Sequence, residues 1–112
     1  MPLITTKAST AISKEKEALL KAEFGKAIEL INKSERWLMV DFQENCHLWF
    51  KGDDEPCAMI EIDLFGKASD SGYDALTKAI TDIVSDGLGI AGDRIYVKYN
   101  EISHWGYSGF NF

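Results

Sequence analysis

The 112-residue sequence contains one short pattern twice, and this repeat constrains the fold more than any other feature. The segment "ITTKAS" at 4–9 matches "LFGKAS" at 64–69, and "ERWLMVDF" at 35–42 matches "DRIYVKY" at 93–99. An amphipathic helical stretch lies between the two members of each half, so each half is predicted to be one βαβ unit. The order is βαβ, an insertion and βαβ, and the length predicts a single domain over residues 1-112.

Two helices are predicted, one over about 14–32 and one over about 73–86. Ser13 is the expected N-cap of the first helix, and Ser71 with Asp74 has the spacing of a capping box for the second. The apolar side chains that recur at three- and four-residue intervals are Leu20, Phe24, Ala27, Ile28 and Ile31 in the first helix and Leu76, Ala79, Ile80, Ile83 and Val84 in the second.

Strands are predicted for the N-terminal run "MPLITT" and for 37–42, 58–65 and 94–99, with a short additional strand near 48–50 in the insertion. A right-handed βαβ crossover makes parallel strands and places its helix on one face of the sheet. The predicted fold class is therefore α/β (α+β), with a four-stranded mixed sheet and both helices on one face.

The other face of this sheet is predicted to be apolar and uncovered. The residues expected on it are Leu3, Met39, Met59, Phe65 and Tyr96. The chain is too short to add a third layer, so self-association is the expected cover. The aromatic tail "HWGYSGFNF" supports this prediction, although packing of the tail on its own chain is the alternative.

Composition excludes several partner classes. A net charge of -6 leaves no basic patch for nucleic acid. No apolar run reaches the ~20 residues of a membrane helix, and no signal peptide is present, so we expect a cytoplasmic protein, with leaderless export left open. Cys46, His47, Cys57 and His104 lack zinc-ligand spacing, so no metal site and no cofactor are predicted.

Pro2 begins the first predicted strand although it cannot donate a backbone hydrogen bond. Proline is tolerated as the first residue of a strand, which is one explanation. The other is that N-terminal processing removes Met1, so that Pro2 carries a free secondary amine.

Four segments in chain order resemble a known family: "MPL", "NKSERWLMV", "EPCAMIEIDLFGK" and "GDRIYVKY". Together with the duplicated βαβ pattern, they make the chain similar to the macrophage migration inhibitory factor family of the tautomerase superfamily along essentially its whole length. The resemblance implies the tautomerase fold, a homotrimer whose sheets surround a central axis, and an enzymatic site between subunits. The alternative is a cytokine-like trimer that binds proteins and has a vestigial pocket; a ferredoxin-like ligand-binding domain is a third reading.

The resemblance also assigns residues to a keto–enol tautomerase site for phenylpyruvate-like 2-oxo acids. It implies Pro2 as general base once the initiator methionine is removed, Lys33 as partner of the anionic group, and the Phe65 backbone N–H as holder of the carboxylate. It implies that the neighbouring subunit contributes Tyr96, and Lys98 stands where the inhibitory factor itself has Asn. Without the resemblance, each of these residues has a structural explanation. Lys33 is a lysine that is favourable at a helix C-terminus, Tyr96 is an aromatic residue of a core strand, and Lys98 is a solvated strand residue.

The predicted pocket wall consists of Leu3, Trp37 and Trp105. Trp37 replaces a tyrosine that is common in the family. The residue three positions after Cys57 is Ile60 instead of a second cysteine, so thiol redox activity is not implied. We expect the altered rim to affect substrate preference.

Tautomerisation needs a base whose pKa is near the working pH. A prolyl amine is mostly protonated at neutral pH, so its pKa has to be lowered. Apolar walls disfavour the ammonium by desolvation, and Lys33 disfavours it by like charge. The same lysine is expected to orient the substrate carboxylate.

Overall fold

The computed structural model describes every residue from Met1 to Phe112 and contains one mixed four-stranded sheet. Its strands are β1 (Pro2–Ala8), β2 (Met39–Gln43), β3 (Ala58–Phe65) and β4 (Ile95–Ile102), in the order β2-β1-β3-β4. The β1/β2 and β3/β4 pairs are parallel, and the antiparallel pair β1/β3 joins the two βαβ halves. The predicted α+β fold with a mixed sheet is confirmed.

The first helix is shorter than predicted. It consists of α1 (Lys14–Ala27) and a 3₁₀ turn, Ile28–Ile31, which ends at Asn32. Ser13 is the N-cap, as predicted, because its hydroxyl accepts the N–H of Lys16 at 3.2 Å.

The predicted start of the second helix is wrong. The helix, α2 (Asp70–Leu88), is capped by Ser69, whose hydroxyl accepts the N–H of Gly72 at 3.0 Å. Ser71 already lies inside the helix, whereas Ser69 has the extended backbone that an N-cap requires. At the other end, Gly89 adopts the left-handed conformation, with φ of 68°, that commonly terminates a helix.

Both helices pack on one face of the sheet and form the core. The largest fully buried side chains include Ile4, Leu20, Phe24, Ile28, Ile60, Ile62, Leu64, Leu76, Ile80 and Val84. The alternating side chains of β3 and the predicted stripes of both helices therefore face the core, because each local period matches its element.

The opposite sheet face is only partly apolar, which corrects the prediction. Met39 and Tyr96 are 69% and 56% exposed near its ends. Its middle is charged, since Glu61 accepts Lys7 at 3.2 Å and lies 3.6 Å from the ammonium of Lys98.

Three other segments complete the description. The tail forms a hairpin of β5 (Gly106–Tyr107) and β6 (Phe110–Asn111). The strand predicted near 48–50 is a loop with a single bridge between Phe50 and Asp53, and β2 starts two residues late because Glu35–Trp37 forms a 3₁₀ turn. None of the helices combines the length and apolarity needed to cross a bilayer.

Candidate active site

Pro2 is buried at the start of β1, opposite Leu64 near the end of β3. Met1 continues the pairing by one residue, because its carbonyl accepts the Phe65 N–H at 3.1 Å. The backbone amide predicted to hold a carboxylate is thus occupied by the Met1 carbonyl while Met1 is attached.

Lys33 also contacts the end of β3, although it belongs to the segment that follows the first helix. Asn32 adopts a left-handed conformation, with φ of 59°, and turns the chain after the 3₁₀ segment. The Lys33 ammonium then donates to the Phe65 carbonyl at 3.1 Å. Lys33 therefore lies beyond the helix, and its charge is directed to the end of β3.

The surroundings of the N-terminus change the pKa of its amine. The pKa of the Met1 amine is lowered below its ordinary value, first by burial and second by the like charge of Lys33. These are the two causes predicted for the Pro2 amine, acting at an amine one residue away.

A cleft of about 510 Å³ opens beside Pro2. Its lining residues are Met1, Pro2, Leu3, Arg36, Trp37, Leu38, Met39, Trp105, Gly106 and Tyr107. The three predicted wall residues lie in this cleft, and their contact with a substrate stays a prediction. No acidic side chain lines it.

The tail hairpin packs on its own chain, which was the alternative to packing on a partner. The Tyr107 ring meets Trp37 edge-on with centroids 5.2 Å apart, and the Phe112 ring lies 5.8 Å from that of Phe65. The Phe112 N–H also donates to the Trp105 carbonyl at 3.0 Å. Trp37, Trp105 and Tyr107 therefore supply the aromatic lining of the cleft.

Tyr96 and Lys98 lie elsewhere. Tyr96 is opposite Met59 near the start of β3, whereas Pro2 is opposite Leu64, so the two sites are about 17 Å apart along the strand. The Tyr96 ring contacts Phe50, with centroids 4.6 Å apart, in an apolar depression of about 260 Å³. One chain therefore cannot bring Tyr96 to Pro2.

No group of three or more His, Cys, Asp or Glu side chains is arranged to hold a metal ion. The cleft is lined by Pro2, Arg36 and aromatic rings, and Lys33 and the Phe65 amide lie at the end of β3, where Pro2 pairs.

The family described as "Macrophage migration inhibitory factor (MIF)" matches residues 1–111 of the chain. This protein belongs to the macrophage migration inhibitory factor family. With it, the chain is placed in the tautomerase superfamily, which replaces the ferredoxin-like reading.

Individual relatives support the assignment of this chain to the MIF family. The macrophage migration inhibitory factor of Meriones unguiculatus is 24% identical over 103 residues, which are 92% of this chain and 90% of the relative. The crystal structure of Leishmania major MIF2 has a TM-score of 0.95 and 29% identity over 100% of this chain and 97% of that one. The homologue from Prochlorococcus marinus has a TM-score of 0.89 and 28% identity, covering 98% of each chain.

Two more distant structures share the MIF-like fold at 19% identity. One is a fused 4-OT protein described as a symmetric trimer, with a TM-score of 0.86 over 97% of this chain and 94% of that one. The other was solved after inactivation by 2-oxo-3-pentynoate, with a TM-score of 0.84 over 96% of this chain and 92% of that one.

Sequence reasoning missed three features of the MIF-type cleft. Arg36 and Tyr107 line it, and the Met1 carbonyl occupies the Phe65 amide. The richness of the tail in aromatic residues was the only signal for Tyr107, and no local pattern marked Arg36.

Proposed function

We propose that this protein is a keto–enol tautomerase acting on phenylpyruvate-like 2-oxo acids, with the Pro2 amine as general base after removal of Met1. The supporting observation is the convergence of Pro2, the Lys33 ammonium and the Phe65 amide at the end of the central strand pair, beside an aromatic cleft. An amine, a cation and a backbone donor are the groups that proton transfer next to a carboxylate-bearing carbonyl requires.

Removal of Met1 changes two groups at once. It converts the Pro2 backbone nitrogen into a secondary amine, and it takes away the carbonyl that the Phe65 N–H binds at 3.1 Å. The released N–H then donates to the substrate carboxylate, next to the Lys33 charge. The same cleavage therefore supplies both the base and the substrate-binding amide.

The proton transfer uses the neutral amine. In the keto-to-enol direction, Pro2 removes a proton from the carbon next to the carbonyl, and the C–H electron pair forms the C=C bond. The carbonyl π pair moves to oxygen. The enolate oxygen takes a proton from water and the Pro2 ammonium returns its proton to water, which gives the enol and restores the neutral amine. Lys33 favours the reaction by lowering the pKa of the amine and by stabilising negative charge on the substrate.

We further propose a homotrimer with sites between subunits. Tyr96 and Pro2 lie at opposite ends of β3 in one chain, so only a second chain can bring Tyr96 and Lys98 to Pro2. The partly apolar, uncovered sheet face supports this assembly, as does the symmetric trimer described for the fused 4-OT protein.

The test measures decay of the phenylpyruvate enol by absorbance, after intact mass has verified that Met1 is absent. Pro2→Gly is expected to keep the fold and to lower kcat/KM roughly a hundredfold or more, the range of general-base catalysis. Pro56→Gly makes the same substitution at the only other proline, in a loop away from the cleft, and is expected to keep the activity.

Unchanged turnover in a folded Pro2→Gly variant would remove Pro2 from the mechanism. A mature wild-type protein that is inactive would favour the cytokine-like alternative, which the names of the curated relatives support.

A further inference from the structure

We infer that Arg36 makes this site selective for 2-oxo acids that carry a second anionic group at the end remote from the keto acid. The inference rests on the proposed function, because it assigns the keto-acid carboxylate to Lys33. It names a different residue, which lines the cleft as Lys33 does not, and a narrower substrate class.

The Arg36 guanidinium lacks a partner within the chain. Its side chain is exposed at the cleft and makes no ion pair or hydrogen bond, although the protein carries 18 acidic against 12 basic residues. Because no acidic residue lines the cleft, the charge is not neutralised locally. A cation left free in this position attracts an anion that enters the cleft.

The position of Arg36 is held from two sides. Ser34 caps the 3₁₀ turn Glu35–Trp37, because its hydroxyl accepts the Arg36 N–H at 3.1 Å. The guanidinium carbon lies 5.1 Å from the centroid of the Trp37 ring, a cation–π arrangement. The Trp37 ring is in turn held by Tyr107. The chain thus presents a planar, five-donor group that fits a carboxylate in bidentate fashion.

Arg36 lines the cleft, whereas Lys33 lies outside its lining, at the end of β3 where Pro2 pairs. Lys33 is engaged at the end of β3 through the Phe65 carbonyl, whereas Arg36 stacks on the Trp37 wall. A ligand with one carboxylate satisfies only the Lys33 position. A ligand that binds with its keto acid at Pro2 and Lys33 and extends into the cleft carries its second anion along the aromatic lining toward Arg36.

The experiment compares phenylpyruvate with 4-carboxyphenylpyruvate on the mature protein. The wild type is expected to have the higher kcat/KM for the dianion. Arg36→Gln should lower the ratio of kcat/KM for the dianion to kcat/KM for phenylpyruvate roughly fivefold to tenfold, as expected for loss of a charged hydrogen bond at an exposed site. Arg36→Lys should retain part of the preference, since it keeps the charge and loses the bidentate geometry.

Lys21→Gln is the matched control, because it removes one positive charge from an exposed position on α1 outside the cleft. It is expected to leave both substrates unchanged. Raised salt should reduce the dianion preference of the wild type, because the contact is exposed.

A binding measurement separates this inference from the proposed function. Cinnamate and 4-carboxycinnamate do not tautomerise, and their affinities are obtained by calorimetry. Tighter binding of the dicarboxylate that is lost in Arg36→Gln supports the inference even if turnover is absent. Equal affinities in the wild type, or a preference that survives Arg36→Gln, would overturn it while leaving the tautomerase proposal standing.

Discussion

The Lys33 ammonium donates a 3.1 Å hydrogen bond to the carbonyl of Phe65, 32 residues further along the chain. The contact joins the end of the first βαβ helix to the last residue of β3, where Pro2 also lies. A flexible lysine is thereby held beside the N-terminal amine, and its charge lowers the pKa of that amine.

Replacing Lys33 with Gln is expected to raise the pKa of the N-terminal amine. The like charge that disfavours the ammonium is lost, whereas burial, the larger cause, remains, so the pKa should stay below its ordinary value of 8.0. NMR titration of the Met1-bearing chain measures this pKa directly. If Pro2 is the base, as proposed, the acid limb of the pH–rate profile of the chain without Met1 should move to higher pH, because the base is neutral only above its pKa.

The lowered pKa of the N-terminal amine makes the free energy of unfolding depend on pH. The unfolded amine binds more protons than the folded one between the two pKa values, so the amine's contribution to stability is lost as pH falls through the folded pKa.

Lys21→Gln serves as control for the amine titration, and an equal shift in that variant would show that the effect of Lys33 is not local.

Asn32 is predicted to position Lys33 through its backbone. Its φ of 59° is unfavourable for a residue with a Cβ other than Asn or Asp, so Asn32→Ala should lower the free energy of unfolding by about 1 kcal/mol. Asn32→Gly should be near neutral, because glycine adopts this conformation freely. Urea unfolding and kcat/KM for phenylpyruvate are measured on both, and activity should fall more in the alanine variant. Equal stabilities of the two variants would contradict this role.

Two helical glycines are expected to respond oppositely to alanine. The atoms nearest to a Cβ added at Gly25 are the carboxylate and Cγ of Glu35, an exposed side chain that can move away. Gly25→Ala should therefore be neutral or stabilise by up to about 1 kcal/mol, from helix propensity.

At Gly87, the added carbon would lie 2.8 Å from Cδ2 of Leu20, which is fully buried. Gly87→Ala should destabilise the fold by about 1–3 kcal/mol through overpacking. Urea denaturation of both variants provides the comparison, and a stable Gly87→Ala protein would show that Leu20 has room to move.

Mixed assemblies test whether two chains share each site. Pro2→Gly trimers, and trimers of Tyr96→Phe with Lys98→Ala, should both be impaired, the second more modestly because Lys98 already pairs with Glu61. Co-refolding the two should create interfaces with an intact Pro2 facing an intact Tyr96 and Lys98. Activity per chain should then exceed the mean of the parents, whereas verified mixed trimers that stay at that mean would exclude a shared site.

Local sequence patterns predicted the helices and strands well and the helix caps less well. The alternation of β3 and the stripe from Leu20 to Ile31 are properties of neighbouring residues, so they can be read without the partner elements. The prediction of Ser71 as the cap is wrong because Ser69, two residues earlier, has the extended backbone of an N-cap, and no sequence pattern shows that conformation.

The sequence by itself determined the two βαβ units, the core faces of their helices and strands, and the family to which the chain belongs. The tertiary structure alone placed Lys33 on Phe65, separated Tyr96 from Pro2, and brought Tyr107 to the cleft that Arg36 also lines. The physical reason is that periodicity records which side of an element is apolar, whereas strand order, direction and register determine which element ends meet. Those relations depend on contacts between residues distant in the chain, and the chemistry of this site lies at such a meeting point.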